Sequence, residues 1–255
     1  MAPRIAMAVL VLFPALHAWA DDSPPPPPVG VWIGKGQFGI LSSHGNSDSE
    51  SINGNLDMSR YDGAWKNSVY IGGLYGKSNG IVSAERWETR LQSNYNITGD
   101  LFAFGGFRYE RDQFDGFQYQ GSFTAGLGYK FIDAEATKLS AQIGAGYRRS
   151  RPEDIFRDPS GLVTERLLHD TTEDVIGTAG FDFSHAFTKT TALTDKFLVE
   201  AGSSNTMLHD EIALTVKTTD KLALGVGYGI TNNSNPPATI KKLDTVATVN
   251  LVFSF

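Results

Sequence analysis

The chain has no cysteine, which removes disulfides and thiolate metal sites from its chemistry. It lacks any uninterrupted run of about 20 apolar residues, the length that a membrane-crossing helix needs. Positive charge is in short supply: 22 Lys and Arg against 28 Asp and Glu give a formal net charge of −6. Nucleic-acid binding calls for a basic stripe, so no nucleic-acid partner is expected. Helical periodicity is nearly absent too, although an average globular chain is about one-third helix. What the 255 residues do have is glycine (27) and aromatics (16 Phe, 9 Tyr and 4 Trp). That combination suits a membrane β-barrel, where only alternate strand residues face lipid.

The first residues predict export. Arg4 precedes the apolar run Ile5 to Leu16, which Pro14 interrupts, and Ala18-Trp19-Ala20 supplies a small-x-small cleavage pattern before Asp21. Residues 1–20 therefore read as a signal peptide cleaved after Ala20. Pro24 to Pro28 favour a stiff polyproline II spacer, so 21–30 reads as a Pro-rich periplasmic linker. Residues 31–255 form the remaining domain.

From Val31 onward the sequence alternates with period two. Leu243, Thr245, Ala247, Val249, Leu251, Phe253 and Phe255 share one face, and the more polar Asp244, Thr248, Asn250 and Ser254 share the other. Successive strand side chains point to opposite faces, so each segment separates a greasy side from a wetter one. About twelve strands are predicted, near 31–43, 48–60, 65–77, 84–97, 100–112, 117–132, 138–149, 171–185, 190–202, 207–218, 221–232 and 241–255. Their length exceeds the five or six residues usual in globular sheets and is enough to cross a bilayer when tilted. The fold class expected is all-β: a closed transmembrane antiparallel barrel of the bacterial outer membrane.

Connections alternate as well. Tight turns at 61–64, 99–100, 133–137, 188–189 and 219–220 face longer links at 45–48, 78–84, 113–116, 150–170 and 233–239, with the short link Gly202 to Asn205 among the latter. Short periplasmic turns opposite longer outer loops is the habit of such barrels. Aromatics mark both membrane interfaces. Trp65, Tyr95, Tyr129, Phe131, Phe183, Phe253 and Phe255 fall at the turn end, and Tyr75, Trp87, Tyr109, Phe117, Tyr119, Tyr147 and Tyr228 at the loop end. Phe255, closing an alternating strand, resembles the C-terminal signature read by the barrel-assembly machinery. The other expected partners are outer-membrane lipids and lipopolysaccharide.

Three motifs could carry chemistry. Gly34-Lys35-Gly36-Gln37-Phe38-Gly39 matches a dinucleotide fingerprint on paper, but that motif needs a helix to follow, and Ile40-Leu41 continue a strand; no cofactor is expected. Ser43-His44 and Ser184-His185 could suggest a lipid hydrolase, yet strand neighbours point to opposite faces, so neither is a dyad. No catalytic residue and no metal site is predicted. The third is a strip of charge on the non-lipid face: Arg86, Glu88 and Arg90 on one strand should face Arg108, Glu110 and Asp112 on the next. Lys196, Glu200, Glu211 and Lys217 extend it. Such a strip either lines a wet pore or neutralises itself in a plug.

Ser42-Ser43-His44-Gly45-Asn46-Ser47-Asp48 followed by Gly54-Asn55-Leu56 resembles the YdiY-like family, and so does Tyr109 to Gly116 running into Thr124-Ala125-Gly126-Leu127-Gly128-Tyr129. These bacterial outer-membrane proteins are labelled putative salt-induced and carry a conserved domain of unknown function of the DUF481 type. The resemblance covers the mature chain and implies an outer-membrane barrel with an envelope role under osmotic change. It carries over no catalytic or ligand-binding residue. Two functions stay open: a narrow or gated passive channel for ions or small polar solutes, and a closed structural or surface-interaction barrel.

Overall fold

The computed structural model describes residues 28–43, 48–237 and 240–255. The expected signal peptide, most of the proline-rich segment and His44 lie outside the described residues. Thirteen strands follow in order: β1 (Trp32–Ser43), β2 (Ser49–Asp62), β3 (Trp65–Ser78), β4 (Ile81–Asn96), β5 (Leu101–Asp112), β6 (Phe117–Asp133), β7 (Thr137–Arg157), β8 (Val163–Leu168), β9 (Thr172–Ala186), β10 (Thr191–Gly202), β11 (Thr206–Lys217), β12 (Leu222–Asn233) and β13 (Leu243–Ser254). Twelve of them close into one antiparallel barrel in chain order, β7 passing directly to β9 and β13 returning to β1. β8 stands outside the ring and pairs with the projecting end of β7.

Alternation decides what each strand shows to either side. On β12, Leu224, Val226 and Tyr228 point out and are exposed, whereas Ala223 points in and is buried. Around the wall Phe38, Ile71, Leu91, Phe123, Ile143, Val175 and Val249 repeat this outward exposure. Water would not tolerate an apolar belt of that extent, and hydrocarbon is its natural solvent. The aromatic rims are on the same face: Trp65, Trp87, Tyr95, Tyr129, Tyr147, Tyr228, Phe253 and Phe255 are all exposed. Trp65 packs at a tilt on Tyr95 at 5.0 Å and Trp87 on Tyr109 at 5.1 Å, ring centre to ring centre. Asp195 and Asp210 break the pattern. Both sit on the outer face, Asp195 between Phe183 and Ile212 and Asp210 between Phe197 and Ile230, with their carboxyls in hydrogen-bonding reach of each other.

The inside is partly filled. Phe102 and Phe104 of β5 are buried within the ring, and their rings lie along the adjoining wall of β6 and β7. A Cβ on Gly128 would collide with the Phe102 ring, and one on Gly144 would sit 3.1 Å from Phe104 Cζ. These glycines make room for aromatic rings, so the open part of the lumen is displaced toward β1–β4 and β10–β13.

The closing seam is short. β1 and β13 share four register pairs, Lys35↔Ser254 to Phe38↔Leu251, whereas β1 and β2 pair along their whole length from Trp32↔Arg60 to Ser43↔Ser49. Amides lace the seam from inside: Asn250 Nδ2 donates to Gln37 Oε1 at 3.2 Å and Asn53 Nδ2 donates to Asn250 Oδ1 at 2.8 Å. A Cβ on Gly39 would strike both Asn250 and Asn53, which explains that member of the glycine-rich motif without any nucleotide.

Three sequence expectations need correction. The segment 150–170 is a β-hairpin, not a loop: β7 runs on past the wall and β8 folds back on it. Its alternation is masked because the buried face carries a charge as well, Glu153 beside Ile155, while the other face carries Asp154 and Phe156. The link expected over 78–84 is the two-residue turn Asn79-Gly80, with φ of 50° and 79°, the left-handed pair that lets a hairpin turn match strand twist. Finally, Phe117 is not a rim residue. A bulge between Phe117 and Tyr119 shifts the register and buries its ring.

Candidate functional site

Inward residues that face each other in register form rows, and strand tilt makes each row climb around the wall. One row runs Lys35, Asp57, Tyr70, Arg90, Arg108, Ser122, Arg148, Asp174 from β1 to β9. It begins near the turn end and finishes near the loop end, and six of its eight residues are charged.

All six charges expected on the inner face are there, Arg86 opposite Asp112, Glu88 opposite Glu110 and Arg90 opposite Arg108. Two of these three pairs set like charges face to face, and the close attractions run instead along each strand and on one diagonal. Arg86 Nε lies 2.7 Å from Glu110 Oε1, Arg90 Nε 3.5 Å from Glu88 Oε1, and Arg108 Nη1 2.7 Å from Glu110 Oε2. Arg108 also reaches across the lumen, Nη2 to Glu200 Oε2 at 2.9 Å. Ser122 Oγ donates to the same carboxylate at 2.8 Å, and Arg148 Nη1 lies 4.0 Å from it. Arg148 Nη2 then pairs with Asp174 at 3.2 Å and donates to the carbonyl of Asn205. Arg148 is 1% exposed and Glu200 2%, so this is a knot sealed from water. Buried ions are tolerated only when every member is paired and hydrogen-bonded; here each is.

A cap lies over the knot. In the 113–116 loop, Asp115 accepts from Asn233 Nδ2, on the far wall, at 3.1 and 3.2 Å. Burial first, then Glu110, Asp112 and Asp244, push the Asp115 carboxyl well above its ordinary range. Gly116, at φ 74°, packs on Pro237 and Ile240, where a Cβ would come within 2.9 and 2.7 Å. The hairpin clamps this loop: Arg166 donates to Gln113 O at 3.0 Å and to Glu153 Oε1 at 2.6 Å, and Arg157 stacks on Phe114 at 4.8 Å. At the hairpin tip Ser160 donates to Asp158, holding its carboxyl below the usual range.

Below the knot the lumen opens into a polar cavity lined by Lys35, Asn55, Asp57, Tyr70, Arg90, Lys196 and Glu211 among others. The space that can centre a water molecule is about 40 Å³. That holds about two or three waters. Lys196 Nζ crosses to Asp57 Oδ2 at 3.0 Å, and the Arg90 guanidinium lies over the Tyr70 ring at 4.0 Å. Lys217, expected to extend the strip, is exposed at the turn end and takes no part. No group of three or more His, Asp or Glu among the described residues is placed to hold a metal. His185, in the other Ser–His motif, hydrogen-bonds Thr137 at 2.8 Å.

Sequence reasoning did not single out Arg148, Asp174, Asp115 and Asn233. Arg148 was legible as an alternate-face charge in 138–149. The other three sit where strands become loops, and alternation stops informing there.

Among known proteins, the family described as "Protein of unknown function, DUF481" matches residues 36–255. The chain is 25% identical over 261 residues to the uncharacterized protein YdiY of Escherichia coli (strain K12), covering 99% of this chain and 97% of that one. Among solved structures it is similar to the NanC porin (TM-score 0.47, 10% identity, 88% of this chain and 99% of that chain). The translocator domain of autotransporter NalP from Neisseria meningitidis gives 0.46 and 13%, with 88% and 87% covered. KdgM porin in complex with disordered oligogalacturonate gives 0.42 and 10%, with 88% and 99% covered. With the family match running from β1 to the last residue, the chain belongs to the DUF481 family of proteins of unknown function.

Proposed function

We propose that the protein is an outer-membrane channel, exported and cleaved after Ala20, that passes ions or small polar solutes through a narrow lumen gated at its loop end. The observation that carries this reading is the polar, charge-lined cavity inside a closed barrel whose outer face is apolar. A purely structural barrel of this size could fill that space with apolar side chains at no loss. Lipids and lipopolysaccharide surround the belt on this reading, and the assembly machinery inserts it. The osmotic role rests on the family label, and a deletion strain lagging only in high salt would support it. We read the chain as non-catalytic.

A second reading has a specific observation behind it. Arg148 and Glu200 are sealed from water, as a permanent plug requires, and the loops would then do the work. Single-channel recording of the refolded mature barrel in a planar bilayer, with reversal potentials in a salt gradient, separates the two. Discrete steps whose ion preference changes in R90A/R108A support the channel. A folded barrel silent across voltage and salt refutes it and leaves the plug.

A further inference from the structure

The lumen cavity holds charges that the protein itself does not match. Lys196 and Asp57 are tied to each other at 3.0 Å. Lys35 and Glu211 line the same space, where Lys35 feels Lys196, Asp57 and Glu211 in turn, yet neither has an ion-pair partner within 4.0 Å among the described residues. Two further atoms are left over. Arg90 Nε, 3.5 Å from Glu88 Oε1, donates no hydrogen bond among the described residues, and Asn55 Oδ1 accepts none, although both are buried. Buried polar atoms without protein partners are rare, and these two face a polar cavity from which a guest can reach them.

The cavity therefore offers one free cation, one free anion, one free donor and one free acceptor. A halide would satisfy Lys35 and leave Glu211 bare; a metal cation would do the reverse. A molecule with a carboxylate and an ammonium a few bonds apart satisfies both at once, with no net charge brought into the lumen. Resting on the channel reading, we infer that this cavity recognises small zwitterions of the α-amino acid class, the carboxylate toward Lys35 and Arg90 and the ammonium toward Glu211 and Asn55.

The test uses the refolded mature barrel in detergent micelles with glycine amides labelled for NMR, since Gly225 and Gly227 line the cavity. The probes are L-alanine, propionate and ethylammonium, which share size and differ in charge. Alanine should shift these amides saturably and bind at least tenfold more tightly than either control. Lys35→Met and Glu211→Gln should each erase that advantage, and Lys35→Arg should keep it. Equal binding of propionate, or no saturable binding by any probe, overturns the inference, and this comparison on unmodified protein stands even if a variant fails to fold. Conductance is read separately. A silent barrel that still prefers alanine refutes the channel alone, whereas a conducting barrel with no such preference refutes the zwitterion site alone.

Discussion

Replacing Glu200 with Gln removes the carboxylate shared by Arg108, Arg148 and Ser122. Arg108 loses its 2.9 Å partner but keeps Glu110 at 2.7 Å, and Arg148 keeps Asp174 at 3.2 Å. Breaking a fully buried ion pair costs about 3–5 kcal/mol, and the retained partners place this case near 3 kcal/mol. A pair lining a wide, water-filled pore would lose at most about 1 kcal/mol. Guanidinium unfolding of the refolded barrel, followed by tryptophan fluorescence, reads the difference directly. The double change of Arg108 and Glu200 to Leu should be milder than Glu200→Gln alone, because a cation and an anion leave together while Glu110 keeps Arg86 at 2.7 Å. Conductance should rise in both variants as the constriction loosens. A loss below about 1 kcal/mol with unchanged conductance would refute the sealed knot, since it would mean that water already solvates Glu200.

Asp195→Leu and Asp210→Leu, on the outer belt, should each raise stability by about 1–2 kcal/mol in vesicles, because lipid-facing acids are unfavourable at that depth; lower stability would expose a partner for the acid pair. Gly128→Ala should destabilise by about 1–3 kcal/mol through collision with Phe102, and Phe102→Ala should relieve much of that, so strictly additive losses on unfolding would count against the packing described. The raised Asp115 titration favours the protonated, seated 113–116 loop, so the cap is held most firmly at low pH and loosens as pH rises through the elevated value. On the channel reading, acidification should lower conductance in bilayer recordings and Asp115→Asn should stay low throughout; opening at low pH would contradict the assignment.

Periodicity carried the wall. Twelve alternating segments in the sequence correspond to the twelve barrel strands, since each strand advertises its two faces within a dozen residues. The inner strip was legible for the same reason, as Arg86, Glu88 and Arg90 alternate with Trp87 and Thr89. Partnership across the lumen was not, because Arg108 and Glu200 lie 92 positions apart and meet only through the tilt and stagger of the closed ring. The Asn79-Gly80 turn was readable from its dipeptide alone. The Phe117 inversion was not, since a single bulge reverses a face without marking the sequence.

The seam between β1 and β13 has a consequence in time. Asn250 and Gln37, which bond across it, are 213 residues apart, so joining them closes nearly the whole chain into a loop at an entropic cost of about 5 kcal/mol. Neighbouring strands meet through turns of a few residues and can zip early. Four register pairs, the paired backbone bonds of Gly34 with Phe255 and an amide lacing must hold what the chain is slowest to bring together. Assembly therefore ends at this seam, and unravelling begins there: its amides should exchange with deuterium ahead of every other strand pair in the wall.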